Sequence, residues 1–299
     1  MTQHQKKMAD SLKIQVEASL SKYLDTHLTV LELRNLQGGS INKAMMIRTN
    51  QGMFFAKMND AKAFPNLFLH EKTGLDTLRQ TKTLRVPQVI ELLHVEDQDI
   101  LLMEFMESGT PHYDFWEDFG HKLASLHQHT RPQFGFDQDN YIGTLHQNNA
   151  GQDHWVEFFI CNRLEPMLAL AVNAGKADTA MVDRFQKMYK ELPNLFPVEA
   201  PSLLHGDLWS GNFMADLEGD PIVYDPSVYY GHREMDLAMT RLFGGFDQRF
   251  YDAYQEAMPL QPGWENRVAI CNLYPLLVHV NLFVGSYIQS VKNIVAQFS

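Results

Sequence analysis

The apolar pattern of this chain changes period once, and that change limits the possible folds more than any single residue does. Between residues 28 and 106 the apolar residues come in short runs: LTVLELRNL (28–36), AMMIRTN (44–50), MFFAKMN (53–59), RVPQVIELLHV (85–95) and DILLMEFM (99–106). Gly, Asn, Asp and Pro bound these runs, which predicts strands of a small antiparallel sheet. Ahead of them, Leu12, Val16, Leu20 and Leu24 recur every four residues and predict an amphipathic helix over 12–24. Residues 68–81 predict one helix between the third and fourth strands, despite an interior Gly74. From Phe115, Phe119, Leu123 and Leu126 onward the period is helical, with further stripes over 155–190 and 265–295. The expected fold is α+β and bilobal, with a β-rich N-terminal lobe over residues 1–105 and a larger, mainly helical lobe over 106–299. At 299 residues and 45% hydrophobic content the chain can bury a substantial core.

Potentially reactive residues are densest in LLHGDLWSGNF (203–213) and in IVYDPSVYYGHREMDLA (222–238). Asn212 follows Asp207 by five positions, and Asp225 follows thirteen later at the end of an apolar run. An H-x-D-x-x-x-x-N stretch followed by an acid at a strand end is the kinase arrangement. In it Asp207 accepts a proton from the acceptor hydroxyl, while Asn212 and Asp225 offer the oxygen ligands that Mg²⁺ prefers. His205 is expected to orient the turn through its ring nitrogens. Taken alone, D-x-x-x-x-N also arises in ordinary turns, and His-Gly-Asp could belong to a hydrolase metal site, although no second His-rich cluster completes one.

The N-terminal lobe carries the other half of such a site. Alternation along MFFAKM puts Lys57 on the strand face of Phe55, and Glu71, fourteen residues on, lies on the predicted helix. A Lys-Glu pair is what holds the α- and β-phosphates in kinases. Otherwise Lys57 is a snorkelling edge residue and Glu71 an exposed helix charge. In QGGSIN (37–42), Gly38 and Gly39 would let backbone N–H groups approach phosphate oxygens, and Ser40 could add a hydroxyl; an ordinary hairpin turn has the same composition. Met103, Glu104 and Phe105, where the lobes join, would present backbone groups to adenine, or else form a buried strand end.

Charge and cysteine content exclude other classes. Lys and Arg number 25 against 36 Asp and Glu, a net charge of −11 with no basic run, which argues against binding nucleic acid. The N-terminus is polar where an export signal needs an apolar core, and the apolar stretch at 273–285 is interrupted by His279 and Asn281. No membrane span is expected, and two cysteines, Cys161 and Cys271, suit a reducing cytoplasm without a disulfide framework.

LLHGDLWSGNF, residues 224–246 (YDPSVYYGHREMDLAMTRLFGGF), GGSIN (38–42) and WVEFFICNRL (155–164) resemble the fructosamine kinase, or ketosamine-3-kinase, family over most of the chain. Trp209 and the string ending in FGGF separate that family from aminoglycoside and choline kinases of the same general fold. The resemblance implies a protein-kinase-like fold and ATP- and Mg²⁺-dependent phosphorylation of the C3 hydroxyl of a ketosamine. The product then decomposes and frees the amine. It assigns Asp207 as base, Asn212 and Asp225 as metal ligands, and Lys57 with Glu71 as the phosphate-orienting pair. Trp209 could stack on the ketosamine or sit in the core; His232 could touch the sugar or hold its turn. Asp236 is expected to fasten the catalytic loop by hydrogen bonding, WVEFF with Arg163 to pack helices, and FGGF (243–246) to form a tight turn. The expected acceptor is a ketosamine small molecule or a glycated protein lysine, handled by a monomer or weak dimer. The alternatives are a kinase for an aminoglycoside, choline or a sugar, and a nucleotide-binding pseudokinase without turnover.

Overall fold

The computed structural model describes residues 3–36 and 42–298. Gly38, Gly39 and Ser40 lie outside the described residues. The first element is helix α1 (Gln3–Leu24). Strands β1 (Val30–Leu36), β2 (Lys43–Thr49) and β3 (Gly52–Asp60) follow, then helix α2 (Leu67–Thr81), then β4 (Val89–Val95) and β5 (Gln98–Glu104). They form one antiparallel sheet in the order β1-β2-β3-β5-β4, so α2 is inserted where the chain leaves β3 and returns to the sheet edge.

Strand alternation decides which side chains meet the helices. Phe54, Ala56 and Met58 of β3 join Leu12, Val16 and Leu20 of α1 in one core, while Phe55 packs with the second core on the opposite face. Burying three aliphatic side chains of α1 stabilises its docking by roughly 1.5–3 kcal/mol each. Leu24, assigned to the same stripe by its spacing, is 38% exposed because the helix ends there.

The remainder is mostly helical, as the change of period predicts. Helix α3 (Phe115–His127) is followed by a short hairpin of β6 (Asn140–Ile142) and β7 (Leu145–Gln147) that periodicity does not announce. Next come α4 (Trp155–Phe158), a π-helical segment (Phe159–Leu164), α5 (Glu165–Asn173) and α6 (Thr179–Leu195). Four three-residue strands, β8 (Ser202–Leu204), β9 (Phe213–Ala215), β10 (Pro221–Val223) and β11 (Tyr229–Gly231), pair as β8 with β11 and β9 with β10. They carry the loops 205–212 and 224–228. Helices α7 (Glu234–Leu242), α8 (Gln248–Ala257), α9 (Trp264–Cys271), α10 (Leu273–Leu282) and α11 (Tyr287–Val295) close the chain. Gly244 and Gly245 after α7 both have positive φ, so FGGF is the tight turn its glycines suggest.

The sheet and the helical part are joined beyond the chain link. Arg85 donates to Asp216 at 2.6 Å and to Glu104 at 3.2 Å, and the N–H of Val223 bonds to the carbonyl of Arg85. Among the described residues, Cys161 is exposed, Cys271 is buried, and both are free thiols. No helix among the described residues is long and apolar enough to cross a membrane.

Candidate active site

The two loops held by the short strands face β3 and α2, and Lys57, Glu71, Asp207, Asn212 and Asp225 come together there. Lys57 is 8% exposed on β3 and places its ammonium 2.5 Å from Glu71 of α2 while also pairing with Asp225. Burial works against its charge, but Asp225 and Glu71 outweigh burial and hold the ammonium above its ordinary range. Residue 225 is therefore joined to residue 57 across the cleft. Asp225 has a left-handed φ of 56°, an uncommon backbone state for a residue with a side chain.

Loop 205–212 is organised by Asp236. Its carboxylate accepts the N–H groups of His205 at 2.8 Å and Gly206 at 2.9 Å, and receives Nε2 of His127 at 3.2 Å. Burial alone would raise Asp236, but these donors, His127 first, hold it below the usual carboxylate range. Fastening of the loop by Asp236 thus has a direct geometric form. Gly206 has φ +83°, and a Cβ there would lie 2.0 Å from the carbonyl oxygen of Ser227, so no other residue fits without moving the second loop.

His205 is fully buried and joins the loops. Its Nε2 donates to the carbonyl of Tyr224 at 3.0 Å, leaving Nδ1 to accept the N–H of Asp207 at 3.3 Å, and its own carbonyl accepts the N–H of Ser227. These partners require one proton on the ring, and burial lowers its pKa accordingly. Asn212 donates from Nδ2 to the carbonyl of Asp207 at 2.8 Å and to its carboxylate at 3.0 Å. Burial, reinforced by the charge of Asp225, raises the Asp207 carboxyl to about 7, with the Asn212 amide pulling the other way.

Asp207 opens onto a cavity whose other walls include Ile142, Tyr229, Met239, Tyr274, Val278 and His279. Asp236 lines it as well, so two carboxylates face a small, mostly apolar space with room for about one water molecule. Trp209 lies over Gly211 and meets Phe243 edge-on at 5.6 Å, and Phe243 meets His279 at 5.0 Å. His232 is elsewhere: 1% exposed, it packs against Trp155 and Phe196 and is not among the cavity residues. Of the two readings of His232, the structure shows a core position in which its Nδ1 accepts the N–H of Glu234 at 3.4 Å. Met103 is buried at the end of β5, and Glu104 turns its side chain to Arg85. Met103, Glu104 and Phe105 stand at the junction where the sheet hands over to the helical part.

A polar network behind the site has no signature in periodicity. The side chain of Gln147 donates to Asn140 and Ser227 and accepts the hydroxyl of Tyr274 at 2.6 Å. Asn149 bonds Asn140 and receives Arg163, whose guanidinium lies 4.0 Å from the ring centroid of Tyr229. Arg163 is thus more than helix packing: it ties the π-helical segment to the hairpin that holds residue 227. The only hint in the sequence is Ser227, two positions past Asp225.

The oxygens offered by Asn212 and Asp225 suit a hard cation. The Asn212 amide nitrogen is committed to Asp207, which leaves its carbonyl oxygen for a ligand, and Asp225 is 45% exposed at its side chain.

Fold and site together define a phosphotransferase of the protein-kinase-like class. Within it the chain belongs to the fructosamine kinase family, whose profile matches residues 12–299. A probable ketoamine kinase of Enterococcus faecium is 41% identical over 266 residues, covering 87% of this chain and 93% of that protein. A chloroplastic protein-ribulosamine 3-kinase of Oryza sativa subsp. indica is 36% identical, covering 88% of this chain and 78% of its own. The crystal structure of a candidate fructosamine-3-kinase from Thermobifida fusca superposes with a TM-score of 0.84 at 33% identity, over 95% of this chain and 98% of that one. Aminoglycoside phosphotransferase APH(4)-Ia, in a complex with ADP and hygromycin B, matches with a TM-score of 0.60 at 15% identity over 94% and 98% of the two chains, which shows the fold alone.

Proposed function

We propose that this chain transfers the γ-phosphoryl group of ATP to the C3 hydroxyl of a ketosamine, with Asp207 as the base. The observation that carries this reading is a carboxylate raised to about 7 by burial and by the charge of Asp225, which together with Glu71 pairs with the buried Lys57. Asp207 would accept the hydroxyl proton as the new O–P bond forms and ADP departs. Lys57, oriented by Glu71, would hold the α- and β-phosphates. Backbone groups of Met103, Glu104 and Phe105 would meet adenine, and those of Gly38 and Gly39, with Ser40, would approach the phosphates. Asn212 and Asp225 would hold Mg²⁺, which when bound neutralises phosphate charge. Trp209 would stack beside the acceptor.

The ketosamine as acceptor is supported by the names of the relatives, one of which acts on ribulosamines of proteins. A free ketosamine and a glycated lysine share the reacting group, and the phosphorylated product would break down to release the amine. Residue 105 as the lobe boundary, a reducing cytoplasmic setting consistent with two free thiols, and a monomer or weak dimer belong to the same proposal. The test is ATP consumption with Mg²⁺ and fructosyl- or ribulosyl-lysine, followed by phosphorus NMR for a ketosamine 3-phosphate that forms and decays. Asp207→Asn is expected to lower kcat at least a hundredfold. Full turnover in that variant would remove Asp207 as base.

A further inference from the structure

The carboxylate of Asp236 holds the loop that carries Asp207, but two of its three donors, the N–H groups of His205 and Gly206, belong to that loop. The third is Nε2 of His127, from the last turn of α3, so this donor ties the carboxylate to a separate element. Nδ1 of the same ring bonds the hydroxyl of Tyr254 in α8 at 2.8 Å. His127 and Tyr254 are fully buried, and Asp236 is 1% exposed. Close backbones bring the pair together: a Cβ on Gly120 of α3 would lie 2.3 Å from the carbonyl oxygen of Phe250, one helical turn before Tyr254. Contacts therefore run from Tyr254 to His127, to Asp236, and then to the backbone of residues 205 and 206.

A carboxylate can turn about its Cα–Cβ bond, and Asp236 borders the small cavity it shares with Asp207, which gives it space to turn into. Bonds to the N–H groups of the loop do not prevent this, because the loop can follow the carboxylate. A bond from a buried ring that is held at its other nitrogen does. We propose that His127 is a positioning residue for phosphoryl transfer: through Asp236 it sets the backbone of His205 and Gly206, and with it the distance from Asp207 to the acceptor hydroxyl. A displacement of about 1 Å at a reacting group costs up to about a hundredfold in rate, so a bond remote from the chemistry counts in kcat. Tyr254 acts one step further back, by fixing the ring. The inference rests on Asp207 being the base, as proposed above.

Replacing His127 separates its two nitrogens, since Gln places its amide nitrogen near the position of Nε2 and Asn places its own near that of Nδ1. His127→Gln keeps a donor for Asp236 and is expected to hold kcat within about threefold of the unaltered protein. His127→Asn loses that donor, and kcat should fall about tenfold or more with KM for ATP within about twofold, although the two variants lose similar thermal stability. Hydrogen exchange of the full chain reads the loop directly: the N–H groups of His205 and Gly206 should exchange at least about tenfold faster in the Asn variant, while α1 stays protected. Equal kcat in the two variants, or unchanged exchange at residues 205 and 206, overturns the positioning role and leaves His127 a packing residue. Tyr254→Phe removes one hydroxyl and serves if the His127 variants do not fold: severalfold lower kcat at unchanged KM is expected, and full kcat overturns the chain of contacts. Hydrogen exchange needs no turnover, so an unaltered protein inactive on ketosamines overturns the proposed function while the loop measurement still decides the role of His127.

Discussion

Asp207 and His205 stand two residues apart on one loop, and the same burial drives both towards their neutral forms. An acid loses charge by gaining a proton, so its pKa rises; a histidine loses charge by releasing one, so its pKa falls. Raised to about 7, Asp207 is protonated and unable to accept a proton at lower pH. The expected outcome is a kcat/KM profile that falls as pH drops through about 7, whereas an acid limb near pH 4 would mean that Asp207 titrates like an exposed carboxylate. At this scale much was legible in the sequence. The spacing of His205, Asp207 and Asn212 is local, and a loop of eight residues can be reasoned from its own chemistry. His127 and Gln147 were not legible, since a polar side chain in a helix or strand reads as surface until burial and shared partners are seen.

Helix α2 shows how an element absorbs an unfavourable residue. Gly74 weakens a helix by about 1 kcal/mol relative to Ala, yet the helix runs from Leu67 to Thr81 without interruption. A Cβ at position 74 would meet the side chains of Pro226 and Val228 at 3.4 Å, so the bare backbone lets α2 lie against the segment that follows Asp225. That contact sits one turn from Glu71. Ordinary van der Waals distance leaves room for one methyl group, so Gly74→Ala should raise stability by up to about 1 kcal/mol in denaturant titration with KM for ATP unchanged. Gly74→Leu should push α2 off residues 226–228, stretch the Glu71–Lys57 pair and raise KM for ATP severalfold. A leucine variant with unaltered KM would mean that α2 is not positioned by this contact. The hairpin of β6 and β7 went unread for the opposite reason: its three-residue strands are too short for alternation to register, and its role comes from Asn140 and Gln147 bonding to residues about 80 positions away.

Across the whole molecule, the net charge of −11 conceals where the balanced charges are. Glu234 with Arg267, and Glu199 with Arg233, are paired within the helical part, and His232 lies beside them with its Nε2 3.8 Å from Glu199 but without a hydrogen bond. Burial lowers His232 from 6.5 to about 4, with Glu199 pulling up and Arg233 and Arg267 pushing down. The unfolded chain therefore binds this proton first, so the folded state keeps its full advantage above about pH 6.5 and loses it as pH falls towards 4. From pH 7.5 to 5 the loss is about 2 kcal/mol. His232→Phe should remove that part of the acid sensitivity in thermal unfolding across the same range; an unchanged pH slope would assign the sensitivity to other groups.

What the sequence determined by itself was whatever repeats or is contiguous: the five strand runs, the helical stripes, and the order of motifs that marks the fructosamine kinase family. Period and short spacing are properties of neighbouring residues, and hydrophobic burial reads them directly. Only the tertiary structure decided that Lys57 meets Asp225 across 168 positions, that His232 lies inside the core, and that His127 meets Asp236. Those facts depend on how elements distant in the sequence pack together. The free energy of such contacts comes from desolvation and pairing between residues that no local pattern connects.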